Sequence, residues 1–349
     1  MKFLQTGDIH LGTQNSKLSA QKARQMRDEQ LSRMQDFFDY AVQNDCEAIF
    51  ITGDLFHTKN PSLKLVKVFF DMVEKSGIKT FYVRGNHDEE FDYKDMTPDN
   101  FILFGNDLQT YSFDEYTVSG AGTKNKKPPI YADDRIHFML LHGDIFNPKS
   151  NDGIDLGIYQ NRGIDYLALG HIHSFMEGKI DDYGKYVYSG SLFGNGFDEC
   201  GEKGFVEIEV EGKNLSYSFK KFATRQFEIV EVDITDAVKH AQIKQRINSS
   251  LAKILSRDLV RVVLRGYFTE ETEKYISLLQ QEIGGNFFYF EIKDESKFKI
   301  DFELIKKESL SFKAEFLKLI EEDESLSDEE KSLIAQCGIE ALRGDEISL

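Results

Sequence analysis

The chain has 349 residues, enough for two or three domains, and its 40% hydrophobic content indicates a globular protein rather than a disordered one. Its net charge of −17 argues against nucleic acid, although the acidic stretch 321–330 holds seven carboxylates and leaves room for a basic groove elsewhere. Three cysteines without a CxxC pair, an N-terminus unlike a signal peptide and no apolar run near the ~18 residues of a membrane span predict a cytoplasmic protein with no membrane partner.

Apolar runs alternate with helical patterns through the first part of the chain. The predicted elements are strands at 2–6, 47–52 and 79–84, helices at 18–42 and 62–77, and a helix–loop region up to about residue 110. The first helix carries apolar residues at the 3.6-residue period: Leu31, Met34, Phe37, Phe38, Ala41 and Val42. The second follows Pro61 and ends at Gly77.

The chain then turns to strands alone. They are predicted at 116–122, 135–141, 165–170, 186–190, 204–210 and 215–222, and the last two form a hairpin around EGKN. Together these patterns predict an α/β sandwich of two packed β-sheets flanked by helices, occupying residues 1–225.

A compositional change near residue 226 introduces a smaller β-α-β-α-β pattern. Its elements are predicted at 227–234, 236–255, 258–267, 269–283 and 286–292. No segment in it carries metal-type residues, so residues 226–300 are interpreted as a capping domain. Residues 301–349 are a tail with amphipathic helices at 312–323 and 327–343.

Five short polar motifs follow apolar runs. They are GDIH (7–10), GDLFH (53–57), GNHD (85–88), HGD (142–144) and GHIH (170–173), and they hold or adjoin most of the eight histidines. The carboxyl ends of strands in such sheets converge, so these groups should meet at one edge. The predicted metal ligands are Asp8, His10, Asp54, Asn86, His142, His171 and His173.

That donor set predicts two metal ions sharing one carboxylate. Asp8 and His10, like His171 and His173, are two residues apart and should point to one side, while Asp54 bridges. Nitrogen and oxygen donors without thiolate suit two Mn²⁺ ions, with Fe or Zn possible.

Two further histidines are candidate catalysts. His87 adjoins the ligand Asn86 and is expected to donate a proton or stabilise charge at the leaving oxygen, with Asp88 as a candidate to orient it. His57 is a candidate for phosphate contact. Two other histidines have other interpretations: His137 as structural and His240 as a solvated helix residue.

Each motif alone has an ordinary explanation, because a strand-end Asp is often a turn residue or a helix N-cap. The ordered occurrence of all five favours a functional site. The candidate functions are a nuclease, a phosphodiesterase or phosphatase on small nucleotides or phosphoproteins, and a non-catalytic scaffold, which the complete ligand set disfavours.

The same motifs resemble the calcineurin-like metallophosphoesterase superfamily. In particular, GDIHLG, TGDLFH, RGNHD, DYLALGHIHS and YSGSL resemble the SbcD family of double-strand-break repair nucleases over residues 1–225. The resemblance implies a first metal on Asp8, His10, Asp54 and His173, and a second on Asp54, Asn86, His142 and His171. It implies His87 as the catalytic histidine and His57 as its assistant near the phosphate.

The resemblance also implies function and partners. It implies Mn²⁺-dependent exonuclease action on double-stranded DNA ends, endonuclease action on single strands or hairpins, and an SbcC-like coiled-coil ATPase that docks on residues 312–343. It further implies a homodimer, for which Val68, Phe69, Phe101 and Phe104 are the interface candidates, with ordinary core as their alternative.

The chain departs from that family in two respects. The segment between GNHD and HGD is compact, and the tail lacks a basic extension. Candidate phosphate contacts are therefore few: the KNKK segment (124–127), which is also typical of a solvated loop, and Lys220, Lys221 and Arg225.

Overall fold

The computed structural model describes residues 1–88, 93–122, 127–269, 271–299, 305 and 311–343. Contacts divide the chain into two compact units. The first comprises residues 1–229, 255–260 and 287–289, and the second comprises residues 230–254, 261–286 and 290–349. The predicted domain boundaries near residues 226 and 300 stay predictions.

The strands of the first unit form two sheets. In chain order they are β1 (Lys2–Thr6), β2 (Ala48–Thr52), β3 (Lys79–Val83), β4 (Phe101–Leu103), β5 (Gln109–Ser112), β6 (Tyr116–Gly120), β7 (Ile136–His142), β8 (Tyr166–Gly170), β9 (Met176–Lys179), β10 (Lys185–Tyr188), β11 (Gly204–Glu211) and β12 (Asn214–Lys221). The first sheet has the order β12-β11-β1-β2-β3-β4, and the second has the order β5-β6-β7-β8-β10-β9. Strands β1, β2 and β3 run parallel, as do β7 and β8.

The predicted fold class is confirmed: two multi-stranded sheets pack face to face and are flanked by helices. Between them lies an aromatic core, with Phe3, Phe50 and Phe81 on the first sheet and Phe138 and Tyr166 on the second. Burial of these apolar faces drives the sheets together. The outer face of the second sheet is covered by the segment between β7 and β8, which contains a short 3₁₀ helix (Leu156–Tyr159).

One buried polar side chain links the two sheets. Gln5 on β1 donates through Nε2 to the carbonyls of Val187 (2.9 Å) and Leu169 (3.3 Å) on the second sheet. The hydroxyl of Tyr166 donates to Gln5 Oε1 at 2.5 Å. Because a buried amide needs partners, this link favours one relative position of the two sheets.

Two long helices cover the outer face of the first sheet: α1 (Ala20–Gln43) and α2 (Leu63–Ser76). The side chains of Ser19 and Ser62 cap their N-termini, and α2 ends at Gly77, whose φ of 65° is the left-handed conformation that glycine tolerates. These helices confirm the predicted periodicity, except that Val42 at the end of α1 is exposed.

The region predicted as helix and loop up to residue 110 is different. Its described residues include only a short 3₁₀ helix (Lys94–Met96) before strands β4 and β5. Strands β5 and β9 are short and polar, and β4 is apolar but only three residues long, so none of them shows the apolar alternation by which a strand is recognised in sequence.

Beyond residue 226, three strands form a small sheet in the order β13 (Phe227–Asp233), β14 (Leu259–Arg265), β16 (Tyr289–Asp294), and two short strands, β15 (Tyr267–Phe268) and β17 (Lys297–Phe298), pair separately. The helices of this region, α3 (His240–Ser250) and α4 (Ile276–Gly284), are shorter than predicted. Helices α5 (Phe312–Glu321) and α6 (Asp328–Arg343) pack together through Leu317, Ile320, Ala335 and Ile339.

Candidate metal centre

The five motifs meet at the carboxyl ends of β1, β2, β3, β7 and β8. His10 Nε2 lies 3.8 Å from Asp54 Oδ2, and His142 Nε2 lies 3.6 Å from the same oxygen. His173 Nε2 lies 3.6 Å from Asp8 Oδ1. All of these side chains except that of His173 are almost fully buried.

The remaining two predicted ligands join the same cluster. Asn86 Oδ1 is 2.9 Å from His142 Nε2, and the His171 ring lies 5.4 Å from the His142 ring. The structure therefore brings together all seven side chains that were predicted as ligands, from loops up to 165 residues apart in sequence.

Two subsets could each hold a cation. Asp8, His10 and His173 offer ligand atoms within 4.8 Å of one another, and so do Asp8, Asp54 and His142. The carboxylate-to-imidazole distances of 3.6–3.8 Å are too long for hydrogen bonds and suit a shared cation instead.

The chemistry of the donors fits divalent cations. Buried carboxylates need a compensating charge, and Asp8 and Asp54 are both buried within this cluster. The buried Nδ1 of His10 has no hydrogen-bond partner among the described residues. Mixed imidazole and oxygen donors without thiolate match the preferences of Mn²⁺, Fe²⁺ and Zn²⁺.

The backbone is strained where it presents these groups. Asp8, His10, Asp54 and His171 have φ values of 48°, 49°, 51° and 99°, which non-glycine residues rarely adopt. Hydrogen bonds between loops maintain this conformation, with Asp8 N donating to Gly53 O (3.0 Å) and His10 N to Asp54 O (2.9 Å). Such strain concentrates at functional sites, where the surrounding structure enforces it.

Two glycines allow the loops to approach closely. Gly53 has a φ of 89°, a left-handed conformation that glycine adopts without steric strain. Gly85 instead serves close packing, because a Cβ there would lie 2.0 Å from Asp54 Oδ1.

Burial leaves the two carboxylates of the site poorly stabilised as anions. Burial raises the pKa of Asp8 to about 8, with the neighbouring Asp54 adding to the effect. Burial also raises the pKa of Asp54. Burial, together with nearby histidines, lowers the pKa of His10 to about 3. A divalent cation would favour the ionised carboxylates and the neutral imidazole.

The two candidate catalysts lie beside the ligands. The His87 ring is 5.0 Å from the His10 ring, and its backbone N donates to Asp54 Oδ1 at 2.9 Å. The His57 ring is 6.0 Å from His10 and lies nearly parallel to His87 at 6.4 Å. Burial and the adjacent His87 lower the pKa of His57.

Asp88 does not orient His87, contrary to the sequence-based hypothesis. Its carboxylate accepts hydrogen bonds from Leu55 N (2.8 Å), Gly85 N (2.7 Å) and the Tyr82 hydroxyl. It therefore fixes the turn after β3 against the turn after β2.

Sequence reasoning missed two charged residues beside His173. Glu199 Oε1 lies 2.9 Å from His173 Nδ1, and Lys203 Nζ donates to the His173 carbonyl at 2.5 Å. Both are buried. Burial alone would lower the pKa of His173, but the hydrogen bond to Glu199 and the charge of Asp8 outweigh it and raise that pKa. Both residues lie in the sequence FDECGEKG (197–204), which has no spacing that is diagnostic of a metal site.

The other two histidines have structural partners. His137 is buried, stacks on Tyr131 at 4.5 Å and shares a 2.7 Å hydrogen bond with Thr117, as expected of a structural residue. His240, expected as a solvated helix residue, begins α3, is half-buried and shares a 3.1 Å hydrogen bond with Glu282.

The candidate phosphate contacts are occupied by carboxylates. Lys220 pairs with Glu207 at 3.0 Å, and Lys221 pairs with Glu202. Arg225 makes two 2.7 Å hydrogen bonds to Glu29. Most of the KNKK segment lies outside the described residues.

Three of the four dimer-interface candidates are core residues. Phe69, Phe101 and Phe104 are buried within this chain, and Val68 is partly buried against the cluster that contains Phe69 and Phe101. The alternative interpretation, ordinary core, therefore applies to the three phenylalanines, and the homodimer itself stays a prediction.

Comparison with known proteins identifies the class. The calcineurin-like phosphoesterase family matches residues 1–175, half of the chain, and the chain belongs to this family. An uncharacterized metallophosphoesterase of Bacillus subtilis, YhaO, is 23% identical over 294 residues, which cover 76% of this chain and 72% of that protein.

Solved structures with similar folds include TT1561 of Thermus thermophilus, which has 14% identity and a TM-score of 0.43 and covers 62% of this chain and 98% of its own. A dimetal phosphatase from Danio rerio has 9% identity and a TM-score of 0.42 and covers 63% of this chain and 96% of its own. A third is the nuclease MPE of Pseudomonas putida, which has 14% identity and a TM-score of 0.27 and covers 53% of this chain and 72% of its own.

The family and the site together define a metal-dependent phosphoesterase whose donors support two divalent cations. Within the described part of the chain, no helix is long and apolar enough to cross a membrane.

Proposed function

We propose that this protein is a Mn²⁺-dependent DNA nuclease of the SbcD type. It would degrade double-stranded ends and cleave single strands or hairpins, together with a coiled-coil ATPase. The observation that carries the proposal is the full seven-donor cluster with two additional histidines beside it, in a chain whose motifs resemble that nuclease family. The smaller second unit and the paired tail helices, which lie outside the matched residues 1–175, add support.

The ligand roles follow the resemblance. Asp8, His10, Asp54 and His173 would hold one cation, and Asp54 would be shared with a second. Asn86, His142 and His171 complete the second set. Two cations about 3.5–4 Å apart supply a nucleophilic water and stabilise charge on a phosphoryl group.

His87 is assigned to the leaving group. Its backbone is fixed on Asp54 Oδ1, so its imidazole lies next to the cluster while contributing to neither of the cation subsets. From there it can donate a proton to the leaving oxygen or stabilise the negative charge that develops on it.

His57 would contact the phosphate beside His87. The two rings lie nearly parallel, so both face the same space above His10. The low pKa of His57 favours its neutral form, which can still donate one hydrogen bond to a phosphate oxygen.

The tail pair supports the ATPase partner. Each helix has apolar residues that are exposed: Phe312 and Leu319 on α5, and Leu333 and Ile334 on α6. The apolar residues at the contact between the two helices are buried. A pair of helices with an uncovered apolar side suits docking onto another helical surface.

A second candidate is a phosphodiesterase or phosphatase acting on small phosphoesters. The pairing of Lys220, Lys221 and Arg225 with carboxylates favours it, because DNA binding usually draws on unpaired basic side chains.

One assay separates these functions. Purified protein with Mn²⁺ is given end-labelled linear duplex DNA, a hairpin, and a small phosphodiester such as bis-p-nitrophenyl phosphate. We expect the duplex to be shortened and the hairpin to be cut, and cleavage to stop when EDTA is added. If the small ester is hydrolysed while both DNA substrates stay intact, the nuclease proposal is rejected.

A second assay addresses the partner. Removing residues 310–349 should abolish capture of the coiled-coil ATPase and leave Mn²⁺-dependent cleavage intact. Leu319→Arg should have the same effect, whereas Glu322→Arg, a polar position near the end of α5, should not. Undiminished capture by the truncated protein would contradict the docking role.

A further inference from the structure

Glu199 makes a direct contact with a proposed metal ligand on the side opposite the metal cluster. Its Oε1 lies 2.9 Å from His173 Nδ1, while His173 Nε2 faces Asp8 at 3.6 Å. The imidazole is thus held between two carboxylates, one on each nitrogen. A carboxylate on the outer nitrogen of a histidine fixes its tautomer and makes the inner nitrogen a stronger ligand.

The Glu199 side chain is itself held in place. Its second oxygen, Oε2, accepts hydrogen bonds from Ser191 Oγ and Asn195 N, both at 3.3 Å. Asn195 is in turn bonded to Gln30 on α1 at 3.1 Å. A buried carboxylate with both oxygens engaged keeps one orientation, so the imidazole that it contacts is kept in one orientation too.

The outer nitrogens of His142 and His10 have other surroundings. The outer nitrogen of His142 is 2.8 Å from the carbonyl of Thr52, a weaker partner than a charged group. His10 Nδ1 has no hydrogen-bond partner in the same part of the chain. His173 thus has a buried carboxylate at its outer nitrogen, whereas the outer nitrogen of His142 faces a backbone carbonyl.

We propose that Glu199 is a positioning residue that holds His173 as the Nδ1–H tautomer and strengthens cation binding at the subsite of Asp8, His10 and His173. The effect should be greater at this subsite than at that of Asn86 and His142, because Glu199 contacts the ligand His173 directly. This inference rests on the ligand role proposed above for His173.

Binding of Mn²⁺ to the full-length, metal-stripped protein tests the inference. Free Mn²⁺ is followed by electron paramagnetic resonance during titration, so two dissociation constants are obtained without any nuclease assay. We expect Glu199→Gln, which keeps an acceptor but removes the charge, to weaken one site about tenfold, and Glu199→Ala about 100-fold. The second site should change little.

Glu202→Gln is the matched control. Glu202 lies three residues away and pairs with Lys221 at the surface, so its loss should leave both dissociation constants unchanged. Thermal unfolding of each metal-free variant checks the fold. If Glu199→Ala does not fold, the near-isosteric Glu199→Gln decides.

Nitrogen-15 NMR of the histidine rings supplies a readout that general destabilisation would not move. At a pH high enough to keep the ring neutral, His173 of the metal-free wild type should be the Nδ1–H tautomer, and in Glu199→Ala it should lose this preference. Unchanged affinities in both Glu199 variants would overturn the proposal, as would equal weakening of both sites. Absence of nuclease activity on DNA in the wild-type protein would count against the proposed function and not against this role of Glu199.

Discussion

The two sheets contribute different chemistry to the same site. The first sheet supplies the oxygen donors, Asp8, Asp54 and Asn86, from the ends of β1, β2 and β3, whereas the second supplies His142 and the GHIH pair from β7 and β8. Among the seven candidate ligands, His10 is the one imidazole from the first sheet. Neither sheet holds a complete ligand set, so the centre exists only where both meet.

The two contributions also differ in backbone strain. Asp8, His10 and Asp54 on the first sheet all have left-handed φ values, but His171 alone does on the second. The carboxylate side is the costly one to form, since it combines buried acids with unfavourable backbone. The imidazole side has one left-handed residue and no buried acid among its candidate ligands, and the difference predicts unequal responses to substitution.

The largest effect should follow loss of the shared carboxylate of the first sheet. Asp54 faces both His10 and His142, so Asp54→Asn should remove at least one of two Mn²⁺ ions and lower phosphodiesterase activity by roughly 10³–10⁴-fold, on the order seen for loss of a catalytic carboxylate. Elemental analysis and initial rates measure both. Retention of two ions with full activity would show that the first sheet does not dominate.

A smaller loss is expected from His87→Asn, since a general acid contributes about 10²–10⁴-fold. Both metal ions should remain bound, because this imidazole belongs to neither cation subset. Metal content by elemental analysis and cleavage rate are measured on one preparation. Release of an ion would place His87 among the ligands.

Acid should weaken the carboxylate side first. The pKa of Asp8 is about 8 against 3.8 unfolded, so below pH 8 metal binding displaces a proton and the Mn²⁺ dissociation constant should rise by about tenfold per pH unit. Above pH 8 it should level off. Titration calorimetry from pH 6 to 9 would show a flat profile if Asp8 were already ionised.

The same shift has the opposite consequence for the metal-free fold. Between pH 4 and 8 the unfolded chain ionises Asp8 while the folded chain keeps it neutral, so the free energy of unfolding should fall as pH rises through this window. Metal-free Asp8→Asn should lack that component, and the difference between the two melting profiles isolates it.

The smallest effect concerns how the sheets are joined. Gln5→Leu leaves the Tyr166 hydroxyl unpaired and should lower the free energy of unfolding by about 1–3 kcal/mol. Adding Tyr166→Phe should recover part of this loss, because both partners are then apolar. Weaker Mn²⁺ binding by Gln5→Leu, in which no ligand is altered, would show that sheet spacing tunes the site. Identical Mn²⁺ affinity would separate fold stability from site geometry.

Much of this architecture was predictable, because long apolar strands and periodic helices carry strong local signals. The run AIFIT in β2 and the Phe37–Phe38 pair of α1 are examples. All seven predicted ligands converge because each directly follows, or ends, such a strand. The short strands β4, β5 and β9 had no comparable signal.

What sequence could not show is mostly a matter of contacts between distant residues. Glu199 meets His173 at a sequence separation of 26 residues that includes β9 and β10, and the Asp88 carboxylate contacts Tyr82 rather than its neighbour His87. The pairing of Lys220 and Arg225 with acids is equally invisible in composition, because charge on a residue does not reveal whether a partner already neutralises it.

The left-handed residues at the metal centre bear on protein design. Asp8, His10, Asp54 and His171 present their side chains from φ values that regular strands and helices do not contain. Grafting these seven side chains onto an idealised scaffold would therefore misdirect more than half of them. A transplant of this chemistry would have to carry over the crossed loops, including Gly53 and Gly85, along with the ligands.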